Sequence, residues 1–307
     1  MQVEDTRLII SPSPHVRDAD TTQKIMFSVV IALIPSWAAA TYFFGFNSIR
    51  LVLISVLTAI AAEALCQRLR AKPITIWDGS AIVTGMLLAL SLPPTLPSWM
   101  AAFGAAAAIV IGKQVFGGLG YNPFNPALVG RAILMASFAS QMTTWTMPFT
   151  EVVTSATPLA APGSVSYSEL FFGTTAGSLG ETSALAILLG GVFLFYRGVL
   201  DYRIPVGFIG TAAVLSWLFG QDVVFQLLSG SLLFGAIFMA TDMVTSPITP
   251  LGRWIFGIGC GLILFVIRMW GSYPEGLTYS ILVMNAVAPL LNRWTRPRIY
   301  GQGVSKL

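Results

Sequence analysis

The sequence predicts an all-α integral membrane protein of about ten transmembrane helices, arranged as two inverted-topology five-helix repeats. Three observations predict it: a shortage of charge, a one-sided distribution of Lys and Arg, and a helix–turn pattern that occurs twice. Of 307 residues, 55% are hydrophobic and only 10% charged, whereas a soluble domain carries about 25% charged residues. Such a chain cannot cover a water-facing surface. The net charge of +4 is spread thinly, so it reports on orientation and not on nucleic-acid binding. The polar start "MQVEDTRLIISPSPHVRDADTTQK" is unlike a signal peptide, so the first apolar run is expected to be retained.

A helix crossing the hydrocarbon core needs about 20 apolar residues. Apolar runs at 24–46, 50–67, 80–92, 98–116 and 127–141 form a first group of five. Runs at 182–196, 204–219, 223–241, 253–270 and 276–292 form a second. The third run, "SAIVTGMLLALSL", is too short to cross alone and stops at Pro93-Pro94, where a missing amide and a restricted preceding residue favour a break. With the N-terminus in the cytoplasm, fifteen of the seventeen basic residues fall on the cytoplasmic side, leaving Arg50 and Arg268 outside, as the positive-inside rule requires. The expected organisation is a cytoplasmic segment 1–23, a five-helix repeat 24–141, a periplasmic loop 142–181, a second repeat 182–292 and a cytoplasmic tail 293–307. Both termini are then cytoplasmic.

The repeat shows in the match of "PTLPSWMAAFG" (Pro94–Gly104) to "PITPLGRWIFG" (Pro247–Gly257). Pro94, Pro97, Gly104 and Gly118 correspond to Pro247, Pro250, Gly257 and Gly271 at a constant offset of 153. Five spans is an odd number, so the second half enters the membrane from the opposite side. Sites in such proteins form at the repeat interface beside short or broken helices.

Few residues carry chemistry. Cys66 and Cys260 are too few for a four-ligand zinc or iron–sulfur site and are expected to be buried, inert thiols. His15, the only histidine, lies in the polar N-terminal segment, which excludes a histidine cluster or base in the membrane. Between the fourth and fifth runs, "GKQVFGGLGYNPFNPALVGR" offers the amides of Asn122 and Asn125 beside Pro123 and Pro126. Asp242 ends the eighth run on the same side. Spacing alone leaves two roles open for these three: capping broken helices or meeting a ligand. Glu63 is expected to snorkel or to pair with Arg68 and Arg70, and Lys113 and Arg131 to anchor helix ends at the interface. Outside, "EVVTSAT" (Glu151–Thr157) sets an acid before Thr154, Ser155, Ala156 and Thr157. With no histidine or lysine nearby, Thr157 lacks an activating base, so modification by another protein suits it better than nucleophilic catalysis.

Three stretches, "KQVFGGLGYNPFNPALVGRAIL" (Lys113–Leu134), "TSATPL" (Thr154–Leu159) and "ATDMVTSPITPLGR" (Ala240–Arg253), resemble RnfD, a membrane component of the Rnf electron-transport complex. They resemble more distantly NqrB, a component of the sodium-translocating NADH:quinone reductase. The resemblance covers nearly the whole chain and implies a urea-channel-like fold in a bacterial inner membrane. It implies a flavin-carrying component of a machine that couples electron transfer between ferredoxin and NAD to sodium or proton translocation. The partners implied are the other Rnf complex subunits (A, B, C, E and G) and a periplasmic flavin transferase. The family's attachment signature, Asp-x-x-Ser/Thr-Gly/Ser-Ala-Thr, would place FMN covalently on Thr157, with Thr154, Ser155 and Ala156 completing it. Glu151 stands where the signature has Asp, keeping the charge and adding one methylene. A second, noncovalent flavin, riboflavin, is implied at Asn122, Asn125 and Asp242. The competing reading is a stand-alone inverted-repeat solute channel or transporter without a redox role.

Overall fold

The computed structural model describes residues 20–150, 153–154, 158–160, 165–271 and 276–297. Each of the ten expected apolar runs is helical, but not each is one continuous helix. α1 (Thr22–Phe44), α2 (Phe46–Leu69), α3 (Ser80–Leu90) and α4 (Ser98–Ile109) come first. α4 loosens into a π-helical turn at Val110–Gln114. α5 (Pro126–Ser137) and α6 (Ala139–Met142) are parted at Phe138, where one uninterrupted run was expected. After the short α7 (Tyr167–Phe172) come α8 (Ala184–Tyr196) and α9 (Arg203–Leu218). The expected eighth run is broken into α10 (Val223–Leu228), α11 (Leu232–Phe234) and a second π-helical turn, Gly235–Met239. Gly230, at φ +68°, makes that break, a backbone region that costs glycine little. α12 (Pro250–Trp270) and α13 (Leu277–Trp294) close the chain. The remaining ladder among the described residues is β1 (Trp145–Thr146) antiparallel to β2 (Val153–Thr154).

The helix starts follow local chemistry. Thr21, Asn125, Ser183, Asp222 and Thr249 each accept a backbone N–H in the first turn of the helix they precede, satisfying donors that a helix cannot pair itself. Pro126 and Pro250 occupy the first helical position, where proline's missing N–H is harmless. Matched Pro97 and Pro250 both stand at the start of a helix that follows a turn.

α1, α2 and α12, with 23, 24 and 21 residues, are long and apolar enough to cross a membrane by length and composition. α3 has only 11 residues and reaches roughly 16 Å. The polarity of α2 shows which solvent surrounds it. Its buried face carries Ser48, Ser55, Glu63 and Gln67, while Leu53, Leu57, Leu65 and Leu69 point outward. A helix in water has the reverse arrangement, so the outer surface of this multi-pass protein faces hydrocarbon.

α2 packs on α3 and α4, and α4 on α5; in the second half α9 packs on α12, and α12 on α13. α1 meets α8, and α5 meets α13. At the α1–α8 crossing a methyl on Gly190 would collide with the Ala32 carbonyl oxygen, so these backbones touch directly. Cys260 is buried as expected, whereas Cys66 is only partly covered because it sits toward the lipid-facing side of α2.

Candidate functional site

A cavity opens among the start of α1, the start of α3, the loop before α5, the end of α8 and the residues following the second π turn. Asn122, Asn125, Asp242, Lys113 and Ser80 all line it, with Val29, Leu87 and Phe238 among its apolar walls. A few converging polar groups in an otherwise apolar hollow is the usual form of a small-molecule site.

The three residues singled out from sequence are thus brought together, from stretches more than a hundred positions apart, and each is held differently. Asn125 is committed on both sides. Its Oδ1 accepts from the N–H groups of Ala127 (3.0 Å) and Leu128 (3.4 Å), capping α5, while its Nδ2 donates to the Met239 carbonyl (3.2 Å). Asn125 therefore ties the loop to the second π turn. Asp242 accepts from the Val244 N–H (3.2 Å) and the Thr245 hydroxyl (3.2 Å), ordering the turn after that π segment. Asn122 donates to the Phe124 carbonyl (3.1 Å), but its buried Oδ1 has no partner among the described residues. An acceptor buried without a donor costs about 1–3 kcal/mol.

Lys113 was expected to anchor a helix end, and Glu63 to snorkel or pair with Arg68 and Arg70. The structure corrects both. Glu63 and Lys113 are each only 1% exposed and form an ion pair with each other. Lys113 also donates to Ser80 Oγ (2.6 Å), and Gln114 and Gln67 donate to Glu63 Oε1 at 3.0 and 3.3 Å. The physical reason is the first π turn. It presents Lys113 and Gln114 side by side toward α2, and a charge turned inward at this depth needs a counter-charge. Arg131 is likewise no interface anchor, for it lies buried within α5. Arg70, at the end of α2, instead donates to the Gln114 carbonyl that closes the π turn, and Lys72 to that of Gly117 (3.2 Å) just beyond it. One signal for the pair was present in the sequence. Ser48, Ser55, Glu63 and Gln67 recur at helical spacing on one face of a largely apolar run.

Of the "EVVTSAT" residues, Glu151, Val152, Ser155, Ala156 and Thr157 lie outside the described residues. The chain on either side of them is pinned. Thr154 pairs with Trp145 and Val153 with Thr146. Beyond, Pro158–Ala160 forms a single 3-10 turn with Pro158 buried, and Leu159 sits against Gly230, where a methyl would lie 2.7 Å from Leu159 Cδ1.

Residues 9–301 match the model of the NQR2, RnfD, RnfE family. The chain is 48% identical over 308 residues to the D component of the Na(+)-translocating ferredoxin:NAD(+) oxidoreductase complex of Acetobacterium woodii, covering 97% of each chain. It is 43% identical over 324 residues to the D component of the proton-translocating ferredoxin:NAD(+) oxidoreductase complex of Clostridium ljungdahlii, covering 98% of each. It is 40% identical over 328 residues to the D component of the ion-translocating oxidoreductase complex of Stutzerimonas stutzeri, covering 92% of this chain and 93% of that one.

Proposed function

Because the chain belongs to the NQR2, RnfD, RnfE family, we propose that it is the flavin-carrying RnfD component of a complex coupling electron transfer between ferredoxin and NAD to sodium or proton movement. Its partners are the other Rnf complex subunits (A, B, C, E and G) and a periplasmic flavin transferase. The observation that carries the flavin reading is the "EVVTSAT" stretch, which matches the attachment signature and leaves Thr157 between two anchored points. FMN joined through its phosphate to the Thr157 hydroxyl would be held at one end of the molecule, with Glu151, Thr154, Ser155 and Ala156 forming the segment the transferase reads. A stand-alone channel has no use for such a stretch.

Riboflavin is proposed for the cavity that Asn122, Asn125 and Asp242 line. The fit rests on Asn122, whose buried Oδ1 needs a donor; the imide N–H of an isoalloxazine ring is one. Asp242 would accept from a ring N–H or ribityl hydroxyl, and Lys113 contributes a positive edge. When bound, a flavin supplies electron-transfer chemistry, and the protein supplies position and field.

The urea-channel-like inverted repeat is supported by the recurring packing, and the cytoplasmic placing of both termini by the one-sided Lys and Arg distribution. The neighbours α2–α4–α5 are mirrored by α9–α12–α13, and the first and last helices of each half meet their counterparts. The deciding experiment for the function is in-gel flavin fluorescence after denaturation. The wild-type band should fluoresce and the Thr157→Ala band should stay dark at equal protein level. A dark wild-type band from cells that carry the transferase would favour the channel reading.

A further inference from the structure

A second polar site lies at the opposite end of the molecule, in the connection between α7 and α8. This stretch is irregular, yet Thr175, Ser178, Glu181 and Thr182 are all buried. It is clamped to the residues ending α3. The Leu179 N–H donates to the Leu92 carbonyl (3.1 Å) and the Gly180 N–H to that of Leu90 (2.6 Å). A methyl on Gly180 would lie 2.6 Å from Leu90 Cβ, so only glycine permits this approach.

Glu181 turns back onto its own segment. Its Oε1 accepts from the Ser178 N–H (2.9 Å), while its Oε2 and the Ser178 Oγ are both buried with no hydrogen-bond partner among the described residues. Glu181 borders a cavity with room for about one water-sized sphere. Thr175, Gly177 and Thr182 line it on the same segment, and Leu228 and Gly230 close it from the break between α10 and α11. Among the described residues no lysine or arginine lines this space. Arg268 also approaches Gly230, but its guanidinium already donates to the Gln226 carbonyl (2.6 Å), Gln226 Oε1 (3.1 Å) and the Ser229 carbonyl (3.0 Å).

A buried carboxylate is tolerated when it is paired with a cation, and unwound backbone beside broken helices is where membrane proteins hold alkali ions. We propose that Glu181, with the hydroxyls of Thr175 and Thr182, forms a binding site for a single largely dehydrated alkali cation of sodium size. The carboxylate supplies charge and the hydroxyls supply neutral oxygen ligands. The confined volume sets the selectivity: potassium, being larger, would have to push the α10–α11 break outward. Pro158, next in sequence to Thr157, also lines the cavity, so the site borders the proposed attachment segment without using its residues as ligands.

The test is thermal unfolding of the purified full-length chain in detergent, titrated with NaCl or KCl against choline chloride at constant ionic strength. A ligand that binds only the folded state raises the melting temperature with its concentration. The wild type should show a saturable rise with sodium and little with potassium. Glu181→Gln keeps an oxygen for the Ser178 N–H but removes the charge, and should abolish the sodium response. Thr175→Val and Thr182→Val keep the carboxylate and should each shift the sodium midpoint upward several-fold. They carry the measurement should Glu181→Gln not fold. Equal responses to all three salts would overturn the proposal. So would a sodium response that survives in Glu181→Gln, unchanged midpoints in both hydroxyl variants, or a wild type stabilised by acid and indifferent to sodium.

Discussion

The Lys113 ammonium lies 2.7 Å from one carboxylate oxygen of Glu63 and 2.8 Å from the other, joining positions fifty residues apart. It bonds the first π turn to the last turns of α2 and sets a positive charge at the wall of the larger cavity. Burying two charges is expensive, and their attraction compensates only while both are present.

The pair should therefore respond asymmetrically. Lys113→Met alone leaves a bare carboxylate inside and is expected to cost about 3–5 kcal/mol. Glu63→Gln combined with Lys113→Met should recover much of that loss, since the glutamine oxygen still accepts from Gln67 and Gln114. Denaturant or thermal unfolding in detergent would measure both, and a double variant no more stable than Lys113→Met would contradict this account.

The cavity residues separate by what else they do. Asn122→Ala removes the unsatisfied acceptor and should lower extractable riboflavin several-fold while leaving the melting temperature near wild type. Asn125→Ala removes a helix cap worth about 1 kcal/mol and the tie to Met239, so it should lower stability and riboflavin together. Covalent FMN should persist in both. Riboflavin at the wild-type level in an Asn122→Ala, Asp242→Ala double variant would mean that these residues only order the turns.

Sidedness is open to chemical labelling. In a cysteine-free background, Thr150→Cys should react with an impermeant thiol reagent in cells with an intact inner membrane. Tyr121→Cys should react only after that membrane is permeabilised. Both positions are exposed, so labelling in the reverse order would invert the topology and move Thr157 to the wrong side for a periplasmic transferase.

Two glycines in the second half should behave oppositely. Gly190→Ala drives a methyl into the Ala32 carbonyl, a backbone atom that cannot step aside, and such overpacking typically costs about 1–3 kcal/mol. Gly210, within α9, has nothing within 4 Å of where its methyl would sit. Gly210→Ala should be neutral or stabilise by up to about 1 kcal/mol. Equal melting temperatures for the two variants would refute the close α1–α8 approach.

Helix positions were legible in the sequence because apolar runs and their proline and capping residues are local signals. The interruptions were less so. Phe138 and Ser229-Gly230 break helices inside stretches whose composition reads as continuous, and neither π turn has a composition of its own. Asn122, Asn125 and Asp242 stood out as polar residues in apolar surroundings, and they do share a cavity. The partner of Glu63 could not be read, because Arg68 and Arg70 are nearer along the chain and only the fold brings Lys113 to it. Glu181 was hidden for the opposite reason: it ends a polar connection and looks solvated until that connection is seen packed beneath α3.

The contact of Gly190 with Ala32 has a mechanical consequence. Two helices that touch through their backbones have no side chains between them to act as rollers, and Phe238 presses on the same point, 2.8 Å from where a Gly190 methyl would be. The α1–α8 crossing is therefore a pivot. Its helices can tilt about it by small angles but cannot slide past one another by a turn. Larger displacements during turnover must be taken up by the unwound stretches, at 91–97 after α3 and at Ser229–Ser231 between α10 and α11.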